Sequence, residues 1–302
     1  MSRMFRVVTG SPAETPSVPP DRPATVEVTP FVEVGGPEGV VTSAAKPVAP
    51  QPPAARPQPP VAERHSETPL PEHTKYLSVT FHKLPKPGLR LMQTGIAPEV
   101  VVYHFPDHPV SGEYRQVRDE IVRQFDEPGP RVVLFTSASP SAGTSTVLLN
   151  HAVGMTQEYG SRVLVVDAHF DRPGVARRLG CAESPGLAEV MGQAIPLAWA
   201  LQPTPVPNLH VLSTGIPTDA TEEQMASDFP KLLHQLRQWF DWVVVDAGVW
   251  GDLPNGDAAC ESTDAVFLVT RSGDIELPGF GGLRGEVSNS GGQVRGFIST
   301  RV

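Results

Sequence analysis

Arg131-Val132-Val133-Leu134-Phe135-Thr136-Ser137-Ala138-Ser139-Pro140-Ser141-Ala142-Gly143-Thr144-Ser145-Thr146 joins a continuous apolar run to a loop of small residues and then to a helix start. Val132 to Phe135 read as a strand buried on both faces, because four apolar residues in succession leave no face for water. A loop that binds phosphate needs small residues, so that backbone N–H groups can point at the anion, and a helix N-terminus behind it. It also needs a lysine for the terminal phosphates and a hydroxyl for Mg²⁺. Ser141, Ala142 and Gly143 supply the small residues, and Ser145 and Thr146 the hydroxyls. Thr144 stands where the lysine belongs, and Ala138 where the first glycine belongs. Taken alone, the loop also reads as an ordinary strand-to-helix turn. The helix after it is predicted over Ser145 to Tyr159, with Val147, Leu148, Ala152, Val153 and Met155 on its apolar side. Gly160 closes it.

The same texture continues downstream. Val163-Leu164-Val165-Val166-Asp167, Leu209-His210-Val211-Leu212, Trp242-Val243-Val244-Val245-Asp246, Ala265-Val266-Phe267-Leu268-Val269 and Gly296-Phe297-Ile298-Ser299 are further buried strands. Phe229, Leu232, Leu233, Leu236, Trp239 and Phe240 recur at helical spacing. Ser227 or Asp228 is expected to cap that helix, with Pro230 in its first turn. Buried strands alternating with helices predict an α/β fold with a mostly parallel sheet flanked by helices. Ligands of such sheets bind at the carboxyl ends of the strands. Asp167 and Asp246 both fall there, each after four apolar residues, where a carboxylate can hold a metal ion or its water. Either one taken singly can instead be a helix cap.

Composition divides the chain. Most of its 34 prolines precede residue 110. Residues 1–105 read as a Pro-rich arm too poor in apolar area to offset its ordering entropy, interrupted by apolar islands at 29–36 and 76–81. Each island is either an edge strand or sticky linker, or a docking motif. Residues 106–302 form the α/β domain. The net charge of -9 argues against a nucleic-acid partner, since phosphate backbones are bound through clustered Lys and Arg. Cys181 and Cys260 lack metal-ligand spacing and read as buried thiols. With no apolar run of membrane-spanning length and no signal-peptide core, the expectation is a cytoplasmic protein.

Pro106-Asp107-His108-Pro109, Arg115 and Arg118 resemble the lead-in and oligomerisation helix of the bacterial tyrosine kinases, the capsular exopolysaccharide family within the partition-type P-loop ATPases. Phe135 to Pro140, Leu164 to Pro173, Ser184-Pro185-Gly186-Leu187, Asn208 to Gly215 and Phe240 to Asp246 are similar to that family's further landmarks, in its order. The resemblance implies that Ser141, Ala142, Gly143, Thr144, Ser145, Thr146 and Arg172 line an ATP or ADP site. It implies that Ser145, Asp167 and Asp246 hold Mg²⁺, that Asp167 and Asp246 are the catalytic pair in vestigial form, and that Arg115 and Arg118 serve homo-oligomerisation. It also implies a polysaccharide-export or chain-length membrane protein as partner, reached at the inner membrane.

The departures fall in all three phosphate-handling motifs. Thr144 replaces the lysine, and Gly112 a glutamate of the oligomerisation motif. His169 stands at the family's second aspartate, where it reads as a hydrogen-bonded surface histidine rather than a metal ligand. Asp171 replaces an arginine, and Gly248 and Val249 replace prolines. The family's C-terminal tyrosine cluster has no counterpart among Tyr76, Tyr103, Tyr114 and Tyr159. The expectation is a degenerate, kinase-like regulatory or scaffolding protein with weakened nucleotide binding. Two alternatives stay open: an active tyrosine kinase in which Arg172 or a neighbouring subunit's arginine replaces the lysine, and a partition-type ATPase switch.

Overall fold

Four-residue apolar runs in the sequence become the centre of one sheet. In the computed structural model the described residues are 75–80, 95–253, 256–275 and 278–301, and all belong to one compact unit. The first island (29–36) and the Pro-rich arm up to Pro71 lie outside them. The strands are β1 (Lys75–Thr80), β2 (Arg131–Ser137), β3 (Val163–Asp167), β4 (Leu201–Pro203), β5 (Leu209–Leu212), β6 (Trp242–Val249), β7 (Ala265–Arg271) and β8 (Val294–Arg301). They form one eight-stranded sheet in the order β1-β8-β7-β2-β6-β3-β5-β4. Every pairing is parallel except that of β4 with β5.

Strand alternation deals the side chains to two helical layers. Val133, Phe135, Val163, Val165, Trp242, Val244 and Phe267 face the first layer. It is built by α1 (Val101–His104), α2 (Pro109–Arg123), α3 (Thr144–Tyr159) and α4 (Val175–Arg178). Val132, Leu134, Leu164, Val166, Val243, Val245 and Leu268 face the second. That layer holds α5 (Leu187–Met191), α6 (Leu197–Ala200), α7 (Thr221–Leu236), α8 (Gly256–Glu261) and α9 (Pro278–Asn289). Gly160 ends α3 in the left-handed conformation, at φ 62°. Among the described residues, no helix is long and apolar enough to cross a membrane.

Three expectations are corrected. The packed part of the chain begins upstream of residue 106: Ile96, Val100, Val101 and Val102 are buried, and Asn150 of α3 holds this segment through Val102 N (3.0 Å) and the Glu99 carbonyl (2.9 Å). Of the readings open for the second island, the edge strand holds: it supplies β1, which pairs with β8 at the end of the sheet. Helix α7 starts at Thr221, two turns before the expected cap, so Ser227 and Asp228 lie inside it and Pro230 is interior. Burial of Met225, Phe229, Leu232, Leu233 and Leu236 offsets the lost hydrogen bond of that proline. Trp239 falls beyond the helix and is 39% exposed. Cys181 is half-buried, whereas Cys260 is buried as expected.

The first layer also contains a polar anomaly. His151 is buried between Phe135 and Trp242, with ring centroids 5.7 and 6.0 Å away. Neither of its ring nitrogens has a partner among the described residues. Burial pushes its pKa down to about 3, helped by the nearby Arg118 charge. Below pH 6.5 the unfolded chain takes up a proton that the folded chain refuses, so stability falls with acidification until the folded pKa is reached. Chemical denaturation of the wild-type chain and of His151→Leu should therefore diverge below pH 6.5. Between pH 7 and pH 5 the wild type loses about 2 kcal/mol more than the variant.

Candidate functional site

The site is assembled where β2, β3 and β6 end. Asp167 and Asp246 are direct neighbours in the parallel register of β3 and β6, and Phe135 of β2 flanks Asp246 on its other side. Asp167 continues the parity of Val163 and Val165, and Asp246 that of Trp242 and Val244. Both carboxylates therefore head the strand face that carries α3. The loop after β2 turns sharply, with Ser141 at φ 62° and Gly143 at φ 95°, the latter a conformation that favours glycine. Thr300 Oγ1 donates to the Ala142 carbonyl at 2.8 Å. The hydroxyls of Thr136 and Ser137 both donate to the Gly248 carbonyl at 3.2 Å. Behind the loop stands the N-terminus of the sixteen-residue α3, whose free amides and dipole favour an anion.

The two carboxylates differ in their partners. Asp167 Oδ2 accepts from the amides of Gly174 and Val175, both at 3.0 Å, and Oδ1 from His169 N at 3.2 Å. It thus fastens the start of α4 to the end of β3, the capping role that was open for it. Asp246 Oδ1 accepts from Gly248 N at 3.0 Å, while its buried Oδ2 has no hydrogen-bond partner among the described residues. Burial, and then the charge of Asp246, push the Asp167 pKa up to about 6. Burial raises Asp246 as well, opposed by the Ser145 hydroxyl, the Gly248 amide, and the charges of His169 and Arg178. Thr144, at the head of α3, is buried and brings no charge to this pair.

His169 and Gly248 form one packing unit. Gly248 adopts φ +58°, and a Cβ there would come within 2.3 Å of the His169 ring. The ring therefore fills the space that any side chain at 248 would need. His169 is mostly buried rather than a surface residue, and its Nε2 lies 3.6 Å from Asp252 Oδ2.

Other expected residues lie elsewhere. Arg172 is exposed on the loop before α4. Arg115 donates to the Pro106 carbonyl at 2.6 Å. Arg118 is buried inside the chain. Its guanidinium bonds Asp119 at 2.7 Å and the Gly154 carbonyl at 3.4 Å, and lies 5.2 Å from the Tyr159 ring centroid. It is thereby committed to the α2–α3 contact and is not presented to a second chain. The reading of the sequence missed a cleft of about 290 Å³ on the β5 side of Asp167, lined also by Gly174, Glu183, Ser213, Thr214 and Ile216. It missed the latch at Glu189 as well, whose carboxylate accepts from Ser184 Oγ, Gly186 N and Ile216 N. A Glu three residues into a helix is the visible signal of such a latch.

Sheet order, left-handed loop and paired strand-end carboxylates define an α/β protein of the P-loop NTPase class. No family model matches the chain. Tyrosine-protein kinase YwqD of Bacillus subtilis is 28% identical over 167 residues, covering 55% of this chain and 70% of that protein. Tyrosine-protein kinase ptk of Acinetobacter johnsonii is 25% identical over 168 residues, again 55% of this chain but only 23% of that protein. The kinase domain of Escherichia coli tyrosine kinase ETK shares the fold with a TM-score of 0.66 at 20% identity, over 72% of this chain and 85% of that one. The chain is a relative of the bacterial tyrosine kinases, as the order of its motifs suggested.

Two substitutions report on this site. Folded Asp167 holds a proton between about pH 4 and 6 that the unfolded chain releases, so the cost of crowding two charges is full above about pH 6 and vanishes near pH 4. Asp246→Asn should raise stability by about 1–3 kcal/mol at pH 7.5 and leave it unchanged at pH 4, read from denaturation midpoints at both values. Gly248→Ala should cost at least about 1 kcal/mol and move the His169 ring, seen as a shift of its imidazole resonances.

Proposed function

We propose that this chain is a kinase-like regulatory or scaffolding component of exopolysaccharide or capsule synthesis and export. Its cleft binds Mg²⁺ with ATP or ADP weakly and turns nucleotide over little or not at all. One observation carries this reading: two buried carboxylates stand side by side at a phosphate-loop helix whose lysine position is Thr144. A polyphosphate entering there meets two acidic groups without the loop's own cation. A charge-assisted hydrogen bond is worth about 1.5–3 kcal/mol, which makes binding about ten- to a hundredfold weaker without it. Phosphoryl transfer suffers more, because positioning and charge stabilisation are most of what such a site contributes. Ser145 and Asp246 are the residues placed to hold Mg²⁺. Asp167, already taking three amide hydrogen bonds, has less to offer. The partner in this reading is a polysaccharide-export or chain-length protein of the membrane, with the chain held peripherally on its cytoplasmic side. Because the chain spans about a quarter of the Acinetobacter relative, activities of that whole protein are not carried over.

The test is calorimetric titration of the full chain with Mg²⁺-ATP and Mg²⁺-ADP, beside a turnover assay and phosphotyrosine detection. Binding at high micromolar to millimolar nucleotide is expected, with turnover far below that of active relatives, and Thr144→Lys should tighten binding about ten- to a hundredfold. Phosphotyrosine that disappears in Asp167→Asn would instead identify an active kinase. ATP-dependent dimerisation would identify a partition-type switch.

A further inference from the structure

Helix α4 brings a cation to the site that no phosphate-handling motif of the sequence contains. Arg178 ends that helix, and its backbone N–H donates to the Gly174 carbonyl at 3.2 Å. Gly174 is itself one of the amide donors to Asp167 Oδ2. The Arg178 guanidinium lies across the same glycine, where a built Cβ would come within 2.5 Å of Nη1. On its other side, Nε donates to Glu99 Oε1 at 3.1 Å. Glu99 is held in turn by α3, since Asn150 Nδ2 donates to the Glu99 carbonyl at 2.9 Å and to the Thr146 carbonyl at 2.8 Å. The guanidinium is thus steered by one edge, between the first turns of α3 and the amides that bind Asp167. Among the described residues, the only hydrogen bond of its side chain is the one to Glu99. Its charge reaches Asp246. Arg177 Nη2 also comes within 3.7 Å of a Cβ built at Gly174, but its side chain is held outward. Arg172 is exposed, and the side chain of Arg177 is 71% exposed and lies 3.9 Å from Glu183.

We propose that Arg178 is the phosphate-binding cation of this cleft, taking from α4 the role that the loop lost at Thr144. Its ligand is the polyphosphate of a nucleoside di- or triphosphate. A guanidinium suits the task better than a relocated ammonium, because its planar fork can bind a phosphate bidentately while one edge stays fixed. The assignment rests on the nucleotide-cleft reading above and deepens it. It also accounts for how an anion can approach two carboxylates: the charge that offsets them comes from α4 rather than from the loop.

The experiment is calorimetric titration of the full-length wild type, Arg178→Ala, Arg178→Lys and Arg177→Ala with Mg²⁺-ADP and Mg²⁺-ATP, each variant first checked by thermal melting. Arg178→Ala is expected to weaken binding about ten- to a hundredfold, Arg178→Lys to recover only part of it, and Arg177→Ala to weaken it far less than Arg178→Ala. If Arg178→Ala does not fold, Arg178→Gln, which keeps a donor toward Glu99, takes its place. Wild-type binding that is unchanged in the neutral variant overturns the role of Arg178 while leaving the nucleotide reading standing. A wild type that binds no nucleotide at millimolar concentration removes both.

Discussion

The parallel registration of β3 with β6 is the constraint from which the site's properties follow. It sets Asp167 directly beside Asp246, and strand parity turns both toward the layer of α3. Two carboxylates seated this close, away from water, repel each other and need donors or cations to remain ionised. Asp167 draws on three backbone amides, and Asp246 on one. A lysine at the head of α3 would offset the remainder. Thr144 cannot; burial holds both carboxyl groups above their ordinary range, and the charge of Asp246 adds to the rise of Asp167.

What was legible in the sequence follows from how strongly local chemistry dictates structure. Runs such as Val132 to Phe135 and Val243 to Val245 admit one reading, a strand covered on both faces, and the sheet follows from several of them. The strand-end positions of Asp167 and Asp246 were legible for the same reason. The start of α7 was not, because Thr221 to Ala226 is polar on most sides and Pro230 invited an origin close to itself. The segment from Ile96 to Tyr103 was hidden by its shortness: a one-turn helix leaves no period to detect, and its place in the core depends on Asn150, far along the chain. Arg118 and Arg178 show the limit most plainly. Both are basic residues on helices near the site, yet one is consumed inside the core and the other pairs with Glu99 and lies across Gly174. Only tertiary packing separates them.

The departures in separate motifs are fewer in space than in sequence. His169 and Gly248 lie far apart along the chain and count as two losses when motifs are compared one by one. In the fold they are one event, since the imidazole occupies the volume vacated at 248. The Gly248 carbonyl at the same time anchors the hydroxyls of Thr136 and Ser137, so the glycine's left-handed turn serves the loop after β2 as well as the histidine.

Shape and charge in this cleft have different sources. The loop is held by the neutral hydroxyls of Ser137 and Thr300, which donate to the Ser139 and Ala142 carbonyls, while Thr136 and Ser137 tie the end of β2 to Gly248. None of these hydrogen bonds involves the side chain at 144. Exchanging a lysine for a threonine there removes a charge without loosening the turn, so the amides at the head of α3 remain aimed at the same point. The positive end of a helix is a weak attractor compared with a full cation, contributing about 0.3–1 kcal/mol at an exposed site. A cleft of preserved geometry with that term alone would hold an anion poorly beside two carboxylates. The place to look for the missing attraction is therefore a cation held by a different element, the role proposed for Arg178 of α4.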